Sequence, residues 1–80
     1  QLEPGQRIVV SGARHGTVRY AGEAAFAPGD WVGVELDDYS AKGAKDGSVR
    51  GMRYFECAMG HGIFIRPSAA TIIAPAPAPA

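Results

Sequence analysis

The sequence predicts an all-β domain, a small barrel or sandwich of short strands, and three observations carry that prediction. No window repeats apolar residues at i, i+3, i+4 and i+7 for three turns, the pattern an amphipathic helix needs. Short apolar runs alternate with polar residues at period two. Turn-forming residues, including 11 Gly and 6 Pro in 80 residues, separate those runs at regular intervals.

Strands are expected near Arg7–Ser11, Gly16–Ala21, Trp31–Leu36, Arg53–Cys57, Ile63–Arg66 and Thr71–Ile73. Gly12, Gly22, Pro28-Gly29, Gly43–Gly47 and Gly60–Gly62 punctuate them. The domain is expected to span residues 1–73. Ala74–Ala80 alternates Ala and Pro, has little bulk to bury, and reads as an extended linker. Lacking a starting Met or a charged-then-apolar leader, the chain reads as a domain cut from a longer protein.

Alternation sorts the faces of the strands. Val32, Val34 and Leu36 share one face and form core, while Trp31, Gly33 and Glu35 point the other way. Gly33 is expected to leave open space beside Trp31. Ile63 and Ile65 read as core, and Phe64 and Arg66 share the opposite face. Two readings of the outward rings stand side by side. They form a second small core covered by a loop, or they floor a groove with an Arg at its edge, the arrangement in which peptide interfaces concentrate their energy.

Charge is balanced overall, 8 Lys plus Arg against 8 Asp plus Glu, yet segregated along the chain. Asp30, Glu35, Asp37 and Asp38 precede a loop carrying Lys42, Lys45, Arg50 and Arg53 against Asp46 alone. Within that loop, Gly43-Ala44-Lys45-Asp46-Gly47-Ser48 permits tight turns, and its N–H groups suit an anion-accepting nest or simply a solvated turn. It is not a phosphate loop, because Gly-x-x-x-x-Gly-Lys-Ser/Thr is absent.

Several function classes lose support. Zero net charge argues against a general nucleic-acid binder. One Cys excludes an internal disulfide and a Cys-rich zinc site, and suits a reducing compartment. His15, Cys57 and His61 match no zinc spacing. No constellation of nucleophile, base and orienting group is legible, so no catalysis and no cofactor are expected. The apolar runs fall far short of the roughly 18 residues that span a bilayer, so no membrane partner is expected.

Five motifs in order resemble one family. They are Gly16-Thr-Val-Arg-Tyr-Ala-Gly22, Phe26-Ala-Pro-Gly-Asp-Trp-Val-Gly-Val-Glu-Leu-Asp37, Asp46-Gly47-Ser48-Val49 after Lys42-Gly43, Arg53-Tyr-Phe-Glu-Cys57 and Gly60-His-Gly-Ile-Phe-Ile-Arg66. Together they are similar to a CAP-Gly domain (cytoskeleton-associated protein, glycine-rich), over roughly Leu2 to Ile73. The resemblance implies an SH3-like barrel of antiparallel strands. It implies a cytoplasmic, microtubule-linked module that reads acidic C-terminal tails ending in Tyr or Phe, as on α-tubulin, end-binding proteins and cytoplasmic linker proteins. Carried over by position, Phe26, Trp31 and Phe64 line the tail groove. Lys42, Gly43, Lys45, Asp46, Gly47 and Arg66 stand at its rim.

One departure is evident. Where the family usually reads Gly-Lys-Asn-Asp-Gly, this chain reads Gly43-Ala44-Lys45-Asp46-Gly47, and two additional residues lengthen the Asp37–Gly43 approach. Loss of a cation at Ala44 is expected to weaken tail binding, with Lys42 and Lys45 supplying charge from other angles. Two alternatives remain open at this stage: the same domain in a tubulin-folding cofactor, and an SH3-like proline-motif or nucleic-acid binder.

Overall fold

The computed structural model describes residues 2–10, 13–40 and 44–77. Among these, β1 (Arg7–Val10), β2 (Arg14–Ala24), β3 (Ala27–Leu36), β6 (Gly62–Ile65) and β7 (Ala70–Ala74) form one antiparallel sheet in the order β6-β3-β2-β1-β7. A separate hairpin pairs β4 (Ser48–Val49) with β5 (Met52–Arg53). A 3-10 turn, Pro67–Ala69, leads from β6 into β7. No α-helix occurs among the described residues, as the missing helical periodicity implies.

The core contains the Val32, Val34 and Leu36 face that alternation predicts, and Ile8, Val10 and Val18 join it from β1 and β2. Ile8, Val10, Val18, Val32, Val34 and Leu36 are at most 3% exposed, with Ile63, Ile65, Leu2 and Ala70 packed against them. Val34 faces Val18 on one neighbouring strand and Ile63 on the other, so β-branched pairs stack across three strands.

Two strands are longer than expected. β2 runs through Gly22 to Ala24 and β3 begins at Ala27, before Pro28-Gly29. Gly29 holds φ +89° within β3, so this glycine bends the strand instead of ending it. The expected strand over Arg53–Cys57 is a correction: only Arg53 lies in a strand. Beyond it, the N–H groups of Tyr54 and Phe55 both donate to the Gly47 carbonyl, at 2.9 and 3.3 Å. That docking turns the segment crosswise and takes it out of any ladder. At the other end, β7 includes Ala74, one residue past the expected domain boundary.

Arg7 ties β1 to the end of β3. Its two guanidinium nitrogens donate to the Asp37 carboxylate at 2.7 and 2.5 Å, and Nη1 also reaches Thr17 Oγ1 at 2.9 Å. The Arg7 hydrogen bonds hold the Asp37 carboxyl below its usual value of 3.8. Asp46 is lowered likewise, first by the Ser48 hydroxyl and then by the Ser48 N–H. A carboxyl with a depressed folded pKa stabilises fully above its unfolded value and loses that contribution as pH falls through the folded value. Stability in urea is therefore expected to drop as pH is lowered below about 4. Arg7→Gln should make that decline shallower, and an unchanged slope would count against the assignment. The effect is modest because both groups are exposed to solvent screening.

Candidate functional site

The face of the sheet opposite the aliphatic core carries six of the chain's seven aromatic residues. Phe26 sits at the two-residue tip between β2 and β3, Trp31 on the outward face of β3, and Phe64 on β6 opposite Gly33. Ring centroids lie 5.0 Å apart for Phe26–Trp31 and 5.2 Å for Phe26–Phe64, so the three predicted rings meet. Phe64 also contacts Tyr54 at 5.3 Å, Phe55 at 5.5 Å and Tyr20 at 6.4 Å. Most of these pairs are edge-on or tilted, the geometry ring quadrupoles favour. All six rings are half-buried. They pack as a second small core, the first of the two sequence readings, and keep part of their surface exposed.

Tyr20, Tyr54 and Phe55 were not among the predicted site residues. By alternation Tyr20 belongs with Val18 on the core face. A bulge at Arg19 shifts the register so that Val18 faces Val34 while Tyr20 faces Gly33, which turns the ring outward. No sequence signal marks that bulge. Tyr54 and Phe55, as neighbours in an assumed strand, belong on opposite faces; the crosswise segment brings both to one. The space beside Gly33 is also corrected. It is not open: a Cβ there would lie 2.5 Å from Phe55 Cε1 and 3.0 Å from Tyr20 Cβ, so Gly33 is the seat of the Phe55 ring.

Arg66 stacks on Trp31, with Cζ 4.0 Å from the ring centroid. Its Nη1 donates to the Pro28 carbonyl at 3.0 Å and the Asp30 carbonyl at 3.3 Å, which fixes the guanidinium at the edge of the aromatic face. Trp31 Nε1 donates to the Ala27 carbonyl at 3.3 Å.

Lys42 and Gly43 lie outside the described residues. Lys45 is exposed and anchors the loop through its backbone, donating to the Gly62 carbonyl at 2.6 Å and accepting from the Gly62 N–H at 2.8 Å. Asp46 Oδ1 accepts from the Ser48 N–H at 3.1 Å and hydroxyl at 2.6 Å, a side-chain turn, and Arg53 Nη2 reaches Oδ2 at 3.4 Å. The Lys45 and Ser48 N–H groups are thereby used internally, so neither serves the anion nest that the glycines suggested. Gly47, at φ +97°, packs its backbone directly on the Phe55 carbonyl. The loop thus sets the position of Tyr54 and Phe55 beneath Phe64.

Ion pairing leaves an uneven surface. Arg19 neutralises Glu35 at 2.9 Å, Arg7 pairs with Asp37 and Arg53 with Asp46. Lys45, Arg50 and Arg66 are exposed and have no carboxylate partner among the described residues. Cys57 is half-buried, and burial, followed by the charges of Glu35 and Asp46, pushes its thiol up, which disfavours the reactive thiolate. No group of His, Cys, Asp or Glu suited to a metal ion occurs among the described residues.

Fold and site together define a small antiparallel β-domain with a half-buried aromatic face and a guanidinium stacked at its edge. The chain belongs to the CAP-Gly domain family, whose model matches residues 4–70. It is 51% identical over 73 residues to dynactin subunit 1 of Xenopus laevis, covering 90% of this chain and 6% of that protein. It is 52% identical over 64 residues to the restin homolog of Drosophila melanogaster, covering 76% of this chain and 4% of that protein. It is 48% identical over 64 residues to CAP-Gly domain-containing linker protein 3 of Mus musculus, covering 80% and 11%. The chain therefore spans only a small part of the length of these relatives. Among solved structures, the CAP-Gly domain of human kinesin-like protein KIF13B superposes with a TM-score of 0.78 at 46% identity, over 88% of this chain and 68% of that one.

Proposed function

We propose that this domain is a microtubule-linked interaction module that binds acidic C-terminal tails ending in Tyr or Phe, such as those of α-tubulin, end-binding proteins and cytoplasmic linker proteins. The observation that carries the reading is the half-buried face of Phe26, Trp31, Tyr54 and Phe64, with Arg66 stacked on Trp31 and Arg50 beside Phe26 and Tyr54, neither having a carboxylate partner among the described residues. A terminal ring adds one more edge-on partner to this face, and the tail's carboxylates meet these cations. The identity with dynactin subunit 1 favours a parent protein of the dynactin large-subunit type, working in the cytoplasm on microtubules.

Burying one terminal ring contributes about 1–3 kcal/mol at roughly 25 cal/mol per Å2. The cations add steering and some affinity that salt weakens. One tail therefore binds weakly, and repeated tails along a polymer or a dimeric parent supply avidity. Titration with a peptide ending Glu-Glu-Tyr tests the reading. Saturable binding that disappears when the terminal Tyr is removed is expected; no saturable binding at millimolar peptide overturns it. Restoring the family's cation with Ala44→Lys is expected to raise affinity by about twofold to fivefold, an increment typical of one exposed ion pair. The gain should shrink at high salt, and an unchanged affinity would remove Ala44 as the cause of weak binding.

A further inference from the structure

Beyond the bulge at Arg19, β2 and β3 pair Ala21 with Val32, Gly22 with Trp31 and Glu23 with Asp30. Side chains alternate along each strand, so Asp30 shares the face of Val32 and Glu23 that of Ala21, turned away from the rings. Glu23 and Asp30 therefore stand directly opposite each other, where Cβ atoms are about 5 Å apart and like charges repel. Both residues are exposed, and neither carboxylate has a hydrogen bond or ion pair among the described residues. Arg66 bonds to the Asp30 carbonyl at 3.3 Å and stacks on Trp31, but forms no ion pair with the Asp30 carboxylate. Two opposed negative charges are thus left unmet within the described domain.

Beside this pair is a groove of about 310 Å3, walled by Leu2, Ala21, Trp31, Val32 and Pro67, with Asp30 as the one charged residue in its lining. The volume is that of roughly ten waters, room for one long side chain. Val32 is buried and Leu2 half-buried, and the Trp31 Nε1 donor is already used on the Ala27 carbonyl. The walls therefore offer apolar contact, and the polar chemistry of the groove is the Asp30 carboxylate with Glu23 facing it.

That combination is complementary to an amphipathic cation, whose methylene stem lies on apolar surface while its charged head reaches a polar group. An acidic side chain would add to the repulsion, and a purely apolar one would cover the carboxylates without pairing them. Lysine suits the pair better than arginine. Its ammonium is compact and its three N–H donors diverge, so it can serve two carboxylates, whereas the flat guanidinium fork matches one. We propose that the groove beside Asp30 and Glu23 is a docking site for a lysine side chain on a basic segment of a protein partner. Leu2, Val32 and Pro67 receive the stem, and the two carboxylates accept from the ammonium. The proposal is independent of the tail reading, since its ligand carries the opposite charge and no ring.

The test is a titration followed by amide chemical shifts, using the peptide Gly-Ala-Lys-Ala-Gly with both ends blocked. A second peptide has norleucine in place of lysine, which keeps the stem and removes the charge. Saturable shifts at Ala21, Asp30 and the Trp31 indole N–H are expected with the lysine peptide, and binding should weaken at high salt. Asp30→Asn is expected to weaken it by about threefold to fivefold, the scale of an exposed ion pair, and Glu23→Gln by about twofold. Glu56→Gln, at an exposed carboxylate outside the groove, should leave it unchanged. The unfolding midpoint of Asp30→Asn should equal or exceed the parent's, because the opposed charges no longer repel. No saturable shift at millimolar peptide overturns the site, as does equal binding of the norleucine peptide. Equal loss in Asp30→Asn and Glu56→Gln reduces the effect to general charge attraction and also overturns it. A lower midpoint for Asp30→Asn would show that the fold itself uses this carboxylate, and the unmet charge on which the proposal stands would be gone.

Discussion

Replacing Gly47 with Ala is expected to cost this domain about 3 kcal/mol or more, enough to leave it largely unfolded. Two effects combine. Gly47 has φ +97°, where an L residue pays about 1–2 kcal/mol. A Cβ there would also fall on the Phe55 carbonyl oxygen, with the Phe55 carbonyl carbon 2.7 Å away. The obstacle is backbone, so it cannot swing aside as a side chain does. Relief requires separating the loop from Tyr54 and Phe55, which breaks both hydrogen bonds to the Gly47 carbonyl and unseats two rings that pack on Phe64. Gly51→Ala is the control. It has φ +81° but nothing within 4 Å, so it bears the strain without the clash. Urea unfolding should show Gly51→Ala losing about 1 kcal/mol and Gly47→Ala several times that. Similar losses for the two would mean that the packing against Phe55 contributes nothing.

Trp31→Ala should separate binding from folding. The ring is half-buried, 5.0 Å from Phe26 and capped by Arg66. Removing it forfeits one ring pair and one cation–π contact, about 1–2 kcal/mol together, while the six core residues stay in place. Arg66 retains its bonds to Pro28 and Asp30. The variant should therefore remain folded and lose Glu-Glu-Tyr binding by tenfold or more, about 1.4 kcal/mol. Unfolding of the variant would assign Trp31 to the core, and undiminished binding would exclude it from the tail site.

The contrast between the two faces of the sheet shows what local pattern can carry. The aliphatic face was legible because alternation is a property of each strand alone: Val32, Val34 and Leu36 had to share a side, and they are buried together. The same rule placed Trp31 and Phe64 opposite that core, and they meet Phe26 as the motif resemblance implied. It failed at Tyr20, because one extra residue in β2 reverses the side of everything beyond it. It failed again at Tyr54 and Phe55, where two N–H groups leave the strand pattern for a single carbonyl across the loop.

Charge followed the same division. The sequence showed acidic residues gathered before the loop and basic residues within it, under a total of zero. Only the tertiary structure decided which charges cancel, since Arg7 with Asp37, Arg19 with Glu35 and Arg53 with Asp46 pair across 30, 16 and 7 positions of sequence. By itself the sequence determined an all-β chain, the Val32, Val34 and Leu36 face of its core and its family, because these depend on side-chain type and period. The six-ring face, the seating of Phe55 on Gly33 and the cations left exposed depend on a bulge and on long-range hydrogen bonds. Those are set by how strands and loop meet in space, and no local pattern encodes them.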